Sequence, residues 1–212
     1  MRSITKTIVI AASTIALCLG LTACGGGQSS STDSAASNNS AASSEKTAPA
    51  AQEESKDVDF YMFKGEMPEG YGLTGPNGNS SPLNIVEFRN IENPDKIVDI
   101  EIDEGSAQEQ FDKAAAKDKY TAGDDVKLGK YTWKTLNFTW NKQPSAVLYT
   151  DIAEGLYAEV TLYETTLDDT AIKAFLEGVE FATDYDAAHK AGMDTTVEKF
   201  AADNNLKLWE AE

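Results

Sequence analysis

The amino-acid sequence predicts a single α+β domain, in which an antiparallel, twisted β-meander carries two or three packed helices. After residue 57, apolar and polar residues alternate with a period of two in several segments, as in strands with one exposed face. Short loops join successive segments, whereas parallel strands would need long crossovers. Only a few segments have helical spacing. The 156 residues from 57 to 212 are enough for one domain with its own core.

The predicted strands form two groups along the chain. The clearest alternation lies at residues 96–103, where three aliphatic residues alternate with Asp99, Glu101 and Asp103. In residues 131–140 the alternation changes phase, which predicts a β-bulge near Lys134 and Thr135. A turn over residues 153–155 closes the meander. The predicted strands cover residues 83–89, 96–103, 131–140, 145–151 and 156–163.

Three segments predict helices, because each combines an N-terminal cap with apolar residues at helical spacing. Two of them carry a capping box and one begins at an aspartate. Between the second and third helices, the polar residues 184–193 predict a loop. The caps are Ser106 with Glu109, Asp168 or Asp169, and Thr195 with Glu198.

The N-terminus has the pattern of an export signal. Arg2 and Lys6 precede a 14-residue, mostly apolar run over residues 8–21. A membrane-spanning helix needs about 20 apolar residues, so this run is short for one. An ordinary signal peptide that leaves Cys24 as an incidental thiol is the other alternative.

The residues Leu-Thr-Ala-Cys at 21–24 resemble the lipobox of bacterial lipoproteins. In that family, the cysteine sulfur receives a diacylglyceryl group and a peptidase cuts the chain just before it. The resemblance implies a signal peptide over residues 1–23, lipidation of Cys24, and a lipid anchor on the extracytoplasmic face of the cell membrane.

The composition after Cys24 divides the chain further. Residues 24–56 contain mostly Ser, Ala, Asn and Gly at their start, which predicts a lipidated cysteine followed by a disordered tether. The tether leads into an α+β domain at 57–185 and a C-terminal helical extension at 186–212. Because Cys18 lies in the signal peptide, no disulfide and no cysteine-ligated metal site is expected.

The charge restricts the class of partner. Removing residues 1–23 removes Arg2 and Lys6 from 18 basic residues and none of the 35 acidic ones, which leaves a formal net charge of −19. Such a surface repels phosphate backbones and anionic headgroups, so neither nucleic acid nor direct headgroup contact is expected. Envelope polymers, cations and basic proteins remain as partners.

Residues typical of catalysis are few. His189 is the only histidine, and we expect it in a solvated loop near Asp184 and Asp186. No nucleophile motif surrounds any serine. The glycine-bearing segment 75–82 lacks a lysine and a following helix, so it predicts a loop and no phosphate site. We therefore assign no catalytic, cofactor-binding or metal-binding residue, and Cys24 is the one modified residue.

Two surface features leave alternatives open. Asp99, Glu101 and Asp103 share one face of a predicted strand, where they could bind Ca²⁺, flank a glycosidic bond, or form a solvated outer face. We favour the solvated face. Six aromatic residues of the meander form either a stacking platform or part of the core, and we favour the core. They are Tyr131, Trp133, Trp140, Tyr149, Tyr157 and Tyr163.

The second half of the chain contains a three-stranded meander over residues 131–163, then a helix, and then Val179-Glu180-Phe181. This order of elements is similar to the fold of PsbP-type extrinsic photosystem proteins. That fold serves mainly binding and assembly roles. The resemblance implies an expectation about fold and none about a shared chemistry.

These observations favour a lipid-anchored, extracytoplasmic lipoprotein that acts as a non-catalytic binding or envelope-assembly module. The alternative is a membrane-tethered hydrolase that uses acidic residues on envelope or extracellular polymers. That enzyme would need an apolar pocket holding two carboxyls. The ligand, the host envelope and the oligomeric state are left open by the sequence.

Overall fold

The computed structural model describes residues 57–210, which form eleven strands and four helices. The strands are β1 (Val58–Asp59), β2 (Phe63–Gly65), β3 (Tyr71–Thr74), β4 (Val86–Asn90), β5 (Ile97–Glu104), β6 (Thr121–Ala122), β7 (Val126–Leu128), β8 (Tyr131–Trp140), β9 (Gln143–Ala153), β10 (Leu156–Tyr163) and β11 (Glu180–Phe181). The helices are α1 (Ala107–Ala115), α2 (Thr170–Gly178), α3 (Tyr185–Met193) and α4 (Val197–Asn204).

The strands form two antiparallel sheets. The large sheet has the order β3-β4-β5-β10-β9-β8-β6, and β7 also pairs with β8. The small sheet has the order β1-β2-β11. The meander β8-β9-β10 is joined by short hairpins, one of them at Glu154 and Gly155, where Gly155 adopts a positive φ of 73°. The predicted antiparallel α+β fold is confirmed, with four helices in place of two or three.

The main core fills the space beside one face of the large sheet, which we call the core face. The aliphatic residues of β5 and β10 lie on this face, and Ile100 and Val160 are fully buried. Aromatic rings contribute much of the remaining volume: Phe63 contacts both Phe88 and Phe175 edge to face. Burying such a side chain contributes about 1.5–3 kcal/mol relative to leaving it exposed. The core therefore accounts for much of the stability of the fold.

A second apolar cluster lies on the opposite face of the large sheet, where α1 packs on β8, β9 and β10. Leu136 and Val147 are buried there against Ala114 of the helix. This cluster explains the change of phase in β8. The first half of the strand buries residues in the main core, and the second half buries residues under α1.

The predicted bulge near Lys134 and Thr135 is therefore wrong. The pairing of β8 with β9 runs without a register shift from Lys134 to Trp140. Register irregularities occur between β9 and β10, at Leu156 and Tyr157, and on the other side of β8, where the β6 and β7 pairs differ by one residue. The extra residue there lies between β6 and β7 and not in β8. A change of phase in the pattern came from burial on both faces and not from an extra residue.

Two helix starts differ from the predicted capping boxes. Ser106 precedes α1, but its side chain makes no capping hydrogen bond. The Ala107 amide donates instead to the Asp151 carboxylate, at 2.7 Å. Helix α4 is capped by Thr196, one residue later than predicted, and its hydroxyl accepts from the Lys199 amide. The cap of α2 is Asp169, which is one of the two residues that the sequence predicted for this position.

Helix α3 occupies the segment that the sequence analysis assigned to a loop. Asp184 caps it by accepting a hydrogen bond from the Ala187 amide, at 3.1 Å. Its buried residues are Ala188 and Gly192, which are too small to give a strong apolar pattern. Because Gly192 lies against the Leu83 carbonyl, a larger residue there would displace the chain.

The residues after α4 extend along the edge of the large sheet. We call residues 206–209 the C-terminal segment. Leu73 of β3 donates its amide to the Lys207 carbonyl and accepts from the Trp209 amide, both at 2.9 Å. Gly72 allows this close approach, because a Cβ at that position would lie 2.7 Å from the Trp209 nitrogen. The C-terminal segment thus covers an edge that would otherwise expose unpaired backbone groups.

The predicted signal peptide at 1–23, the lipidation of Cys24 and the tether at 24–56 lie outside the described residues. Among residues 57–210, no helix is both long enough and apolar enough to cross a membrane.

Candidate functional site

The face of the large sheet opposite the core carries a row of carboxylates on three adjacent strands. We call Glu87, Asp99, Glu101, Asp103 and Glu159 the acidic row. Strand pairing sets their neighbours: Glu87 of β4 lies opposite Asp99 of β5, and Glu101 lies opposite Glu159 of β10. Acids directly opposite one another in a sheet are destabilising neighbours. The acidic row therefore places destabilising like charges opposite one another in the sheet.

Most of the acidic row is withdrawn from water. Glu87 is only 5% exposed, and Asp99, Glu101 and Glu159 are half-buried. Asp103 alone is exposed. The prediction of a solvated outer face therefore holds at Asp103 and is wrong at Asp99 and Glu101, which are half-buried. Alternation identified the face correctly, but it carried no information on how crowded that face is.

Burial and like charges disfavour ionisation of the row. Burial, followed by the charge of Glu87 and a hydrogen bond with it, raises the pKa of Asp99 to about 7. Burial and the charges of Glu159 and Asp103 raise the pKa of Glu101. Burial likewise raises the pKa of Glu159. The site therefore favours either a proton or an added positive charge.

The protein supplies little positive charge to the acidic row. The Arg89 guanidinium pairs with Glu87 at 2.8 Å, and its centre lies 4.5 Å from the centre of the Trp209 ring. In the described part of the chain, no other ion pair reaches a member of the row. The row therefore keeps most of its negative charge when its members are ionised.

Tyrosines border the acidic row on the side of β9 and β10. Tyr149 lies opposite Glu159 on the neighbouring strand, and its phenol lowers the pKa of the Glu159 carboxyl against the larger effect of burial. At the other end of the row, burial and the nearby Asp103 carboxylate raise the pKa of Tyr185 of α3. Burial and the nearby carboxylates raise the pKa of Tyr163 to about 12. These phenols are therefore neutral donors at any physiological pH.

The six aromatic residues of the meander do not form one platform. Tyr131 and Trp133 are buried in the main core, and Tyr149 and Tyr157 are buried in the cluster under α1. Tyr163 is half-buried, and Trp140 is 47% exposed with its ring 5.3 Å from that of Tyr163. The favoured interpretation as core residues therefore describes four of the six.

The other candidates have structural roles. The prediction that His189 lies in a solvated loop is wrong. The residue is half-buried on α3, and its ring centre lies 5.4 Å from that of Tyr185. Asp184 caps that helix and Asp186 is exposed in its first turn. In the segment 75–82, Asn79 donates to the Trp209 carbonyl at 3.2 Å and so holds the C-terminal segment.

Two further observations restrict the chemistry of the site. Within residues 57–210, no three or more His, Cys, Asp or Glu side chains are grouped so that they could hold a metal ion. The calcium alternative for Asp99, Glu101 and Asp103 therefore has no coordination geometry to support it. Two depressions on the described surface are lined mainly by residues 164–169 and by residues 182–191, and neither includes a member of the acidic row.

Sequence reasoning missed two members of the acidic row. Glu87 and Glu159 each lie within a predicted strand, at residues 83–89 and 156–163, but neither was linked to Asp99 or Glu101. The link depends on strand order, because β5 pairs with β10 across a long stretch of chain. No local pattern in the sequence carries that pairing.

Comparison with known proteins gives fold neighbours only. No protein-family model matches the chain, and no curated protein matches it. The chain is similar to a crystal structure of a protein from Bacteroides thetaiotaomicron, with 13% identity, a TM-score of 0.39, and coverage of 58% of this chain and 46% of that one. It thus spans less than half the length of that protein. It is also similar to the solution structure of cyanobacterial PsbP (CyanoP) from Synechocystis, with 13% identity, a TM-score of 0.37, and coverage of 60% of this chain and 91% of that one. Both structural similarities are weak.

Proposed function

We propose that this protein is a lipid-anchored, extracytoplasmic lipoprotein that binds a cationic partner through the acidic row without catalysing a reaction. The supporting observation is the cross-strand pairing of two half-buried carboxyls, Glu101 and Glu159, neither of which forms an ion pair with any residue from 57 to 210. A positive charge placed there would relieve both the repulsion and the cost of ionising buried acids. The loss of this repulsion and of this ionisation cost would contribute favourably to the free energy of binding.

The spacing of the row favours an extended basic chain over a single ion. Alternate residues on a strand lie about 6.6–6.8 Å apart and neighbouring strands about 4.8 Å apart. Carboxylates at Asp99, Glu101 and Asp103 therefore follow one another at the interval of alternate side chains in an extended peptide. The partner that fits this spacing is a basic peptide or a basic protein segment, bound along β5 and β10.

Binding can be tested with a lysine-rich peptide in a calorimetric titration. The double variant Glu101→Gln/Glu159→Gln removes two charges from the row and should weaken binding by about tenfold or more, since pairs with charged groups contribute about 1.5–3 kcal/mol. The control variant Glu66→Gln/Glu69→Gln removes the same charge at exposed positions away from the row. Equal loss in both variants would show that only net charge matters and would contradict the proposal.

Anchoring requires a separate test. Cells producing the chain and labelled with a radioactive fatty acid should incorporate the label into the protein and retain it in the membrane fraction. The variant Cys24→Ala should lose both the label and the membrane association. Labelling that persists in the variant would place the lipid elsewhere or disprove the lipobox.

The hydrolase alternative is less well supported. It needs an apolar pocket that holds two carboxyls at a fixed separation. Neither of the two depressions described above contains a residue of the acidic row. Hydrolysis of an envelope polymer that is lost in the variant Asp99→Asn would favour the enzyme over the binding module.

A further inference from the structure

Strands β4 and β5 hold the edge of the large sheet together. Within residues 57–210, β3 joins the large sheet through β4 alone, and β3 is the one strand with which the C-terminal segment pairs. The ladder between β4 and β5 contains four residue pairs, and Glu87 opposite Asp99 is one of the two inner pairs. Any repulsion at this pair therefore acts on the one backbone ladder that connects the edge to the rest of the sheet.

Water cannot hydrate this pair well. The Glu87 side chain is 6% exposed. The Oδ1 atom of Asp99 is buried and has no hydrogen-bond partner. Two ionised carboxylates with so little hydration would repel each other strongly, whereas one shared proton would turn the repulsion into a hydrogen bond.

The groups that face the pair do not neutralise it fully. Arg89 on β4 contacts Glu87, and its own Nε atom is buried without a partner. Glu101 on β5 adds a like charge. On the neighbouring strands, Thr74 of β3 and Thr161 of β10 are uncharged, and Tyr163 of β10 is a phenol whose pKa the two acids raise. The positive charge of Arg89 is therefore shared among three carboxyls, those of Glu87, Asp99 and Glu101.

We propose that Glu87 and Asp99 form a proton-sharing latch, which holds β4, β3 and the C-terminal segment on the sheet while Asp99 is protonated and loosens them when that proton is lost. Arg89 extends the effect to the chain terminus, because the same guanidinium lies over the Trp209 ring. This regulation does not depend on the binding function proposed above.

The direction of the effect follows from the ionisation of Asp99. Its pKa in the folded protein is raised to about 7 from an ordinary value of 3.8. In an opened edge, water reaches the carboxyl and the ordinary value returns. The closed edge therefore binds the proton more tightly, so closure is strongest in acid and weakens as the pH rises from about 4 to about 7.

Hydrogen exchange of the full chain, corrected for the intrinsic pH dependence of exchange, tests this latch. Peptides covering β3, β4 and the C-terminal segment should lose about tenfold or more in protection between pH 5.5 and pH 8.5, since each pKa unit corresponds to a factor of ten. Peptides covering β8 and β9 should lose much less. A uniform loss across the large sheet would contradict a latch at its edge.

Two substitutions separate the latch from other pH effects. In Asp99→Asn the amide replaces the protonated carboxyl and can still donate to Glu87, so protection of the edge should stay high at both pH values. Asp95→Asn makes the same chemical change at an exposed residue and should behave like the unmodified chain. If Asp99→Asn fails to fold, Glu87→Gln provides the second test. A pH-dependent loss that is the same in Asp99→Asn as in the unmodified chain would overturn the proposal.

Discussion

The two faces of the large sheet are built from alternate residues of the same strands, yet they differ in almost every physical respect. On β5, Ile100 lies on the core face and is fully buried, whereas its neighbour Glu101 lies on the face with the acidic row. The core face is a continuous apolar contact with the small sheet and with α2, α3 and α4. The opposite face is apolar only under α1 and acidic over β4, β5 and β10.

This difference shows which part of the molecule carries the fold and which part carries the proposed function. Residues of the core face stabilise the protein by leaving water. Every member of the acidic row except Asp103 is also withdrawn from water, but burial of these carboxylates destabilises the protein unless a proton or a cation compensates their charge. Substitutions on the two faces should therefore have opposite effects on stability.

The largest effect is expected on the core face. Ile100→Ala removes buried methyl groups and leaves a cavity in a dense core, so it should lower the free energy of unfolding by about 2–5 kcal/mol. Urea denaturation followed by circular dichroism measures it. A loss below about 1 kcal/mol would show that the core relaxes around the site and would weaken the contrast between the faces.

An intermediate effect of opposite sign is expected at Asp99. Because its pKa is raised, the ionised form costs stability in neutral and alkaline solution and not in acid. Asp99→Asn should therefore raise the free energy of unfolding by about 1–3 kcal/mol at pH 8 and leave it nearly unchanged at pH 4.

Denaturation of both proteins across this pH range provides the measurement. The two stability curves should converge in acid and separate as the pH approaches 7. A variant that is less stable than the unmodified chain at pH 8 would show that the carboxylate is well compensated, which would contradict the account of the acidic row.

The smallest effect on stability is expected at the half-buried pair of β5 and β10. Glu101→Gln keeps the size of the side chain and removes one of two opposing charges, so the free energy of unfolding should change by less than about 1 kcal/mol, in the stabilising direction. Glu66→Gln, at an exposed position, is the control. A destabilisation at Glu101 would mean that its carboxylate makes a favourable contact.

The sequence predicted what depends on local pattern and failed where strand order decides. Alternation identified β5, β8 and β10 and the face to which Asp99 belongs. It did not predict that Glu87 lies opposite Asp99, since pairing between strands is a property of the whole sheet. The same limit explains the misplaced bulge in β8, because the cover provided by α1 cannot be read from β8 itself.

Helix α3 shows a second kind of failure. Its contact residues Ala188 and Gly192 are small, so the segment lacks the apolar stripe by which helices are recognised. The cap of α2 is Asp169, one of the two aspartates predicted, and the cap of α4 is Thr196, one residue after the predicted Thr195. The predicted cap Ser106 does not bind the first turn of α1. The Ala107 amide donates instead to the carboxylate of Asp151, which is distant in sequence and is brought close by the fold.

The central claim is that the acidic row binds a basic partner, and it is tested most directly by NMR titration of the isotope-labelled chain with a lysine-rich peptide. The account predicts that backbone amide shifts change mainly at residues 99–103 of β5 and 157–161 of β10, and that they revert as salt is added. Shift changes that are spread over all acidic surfaces, or that are absent from β5 and β10, would contradict it.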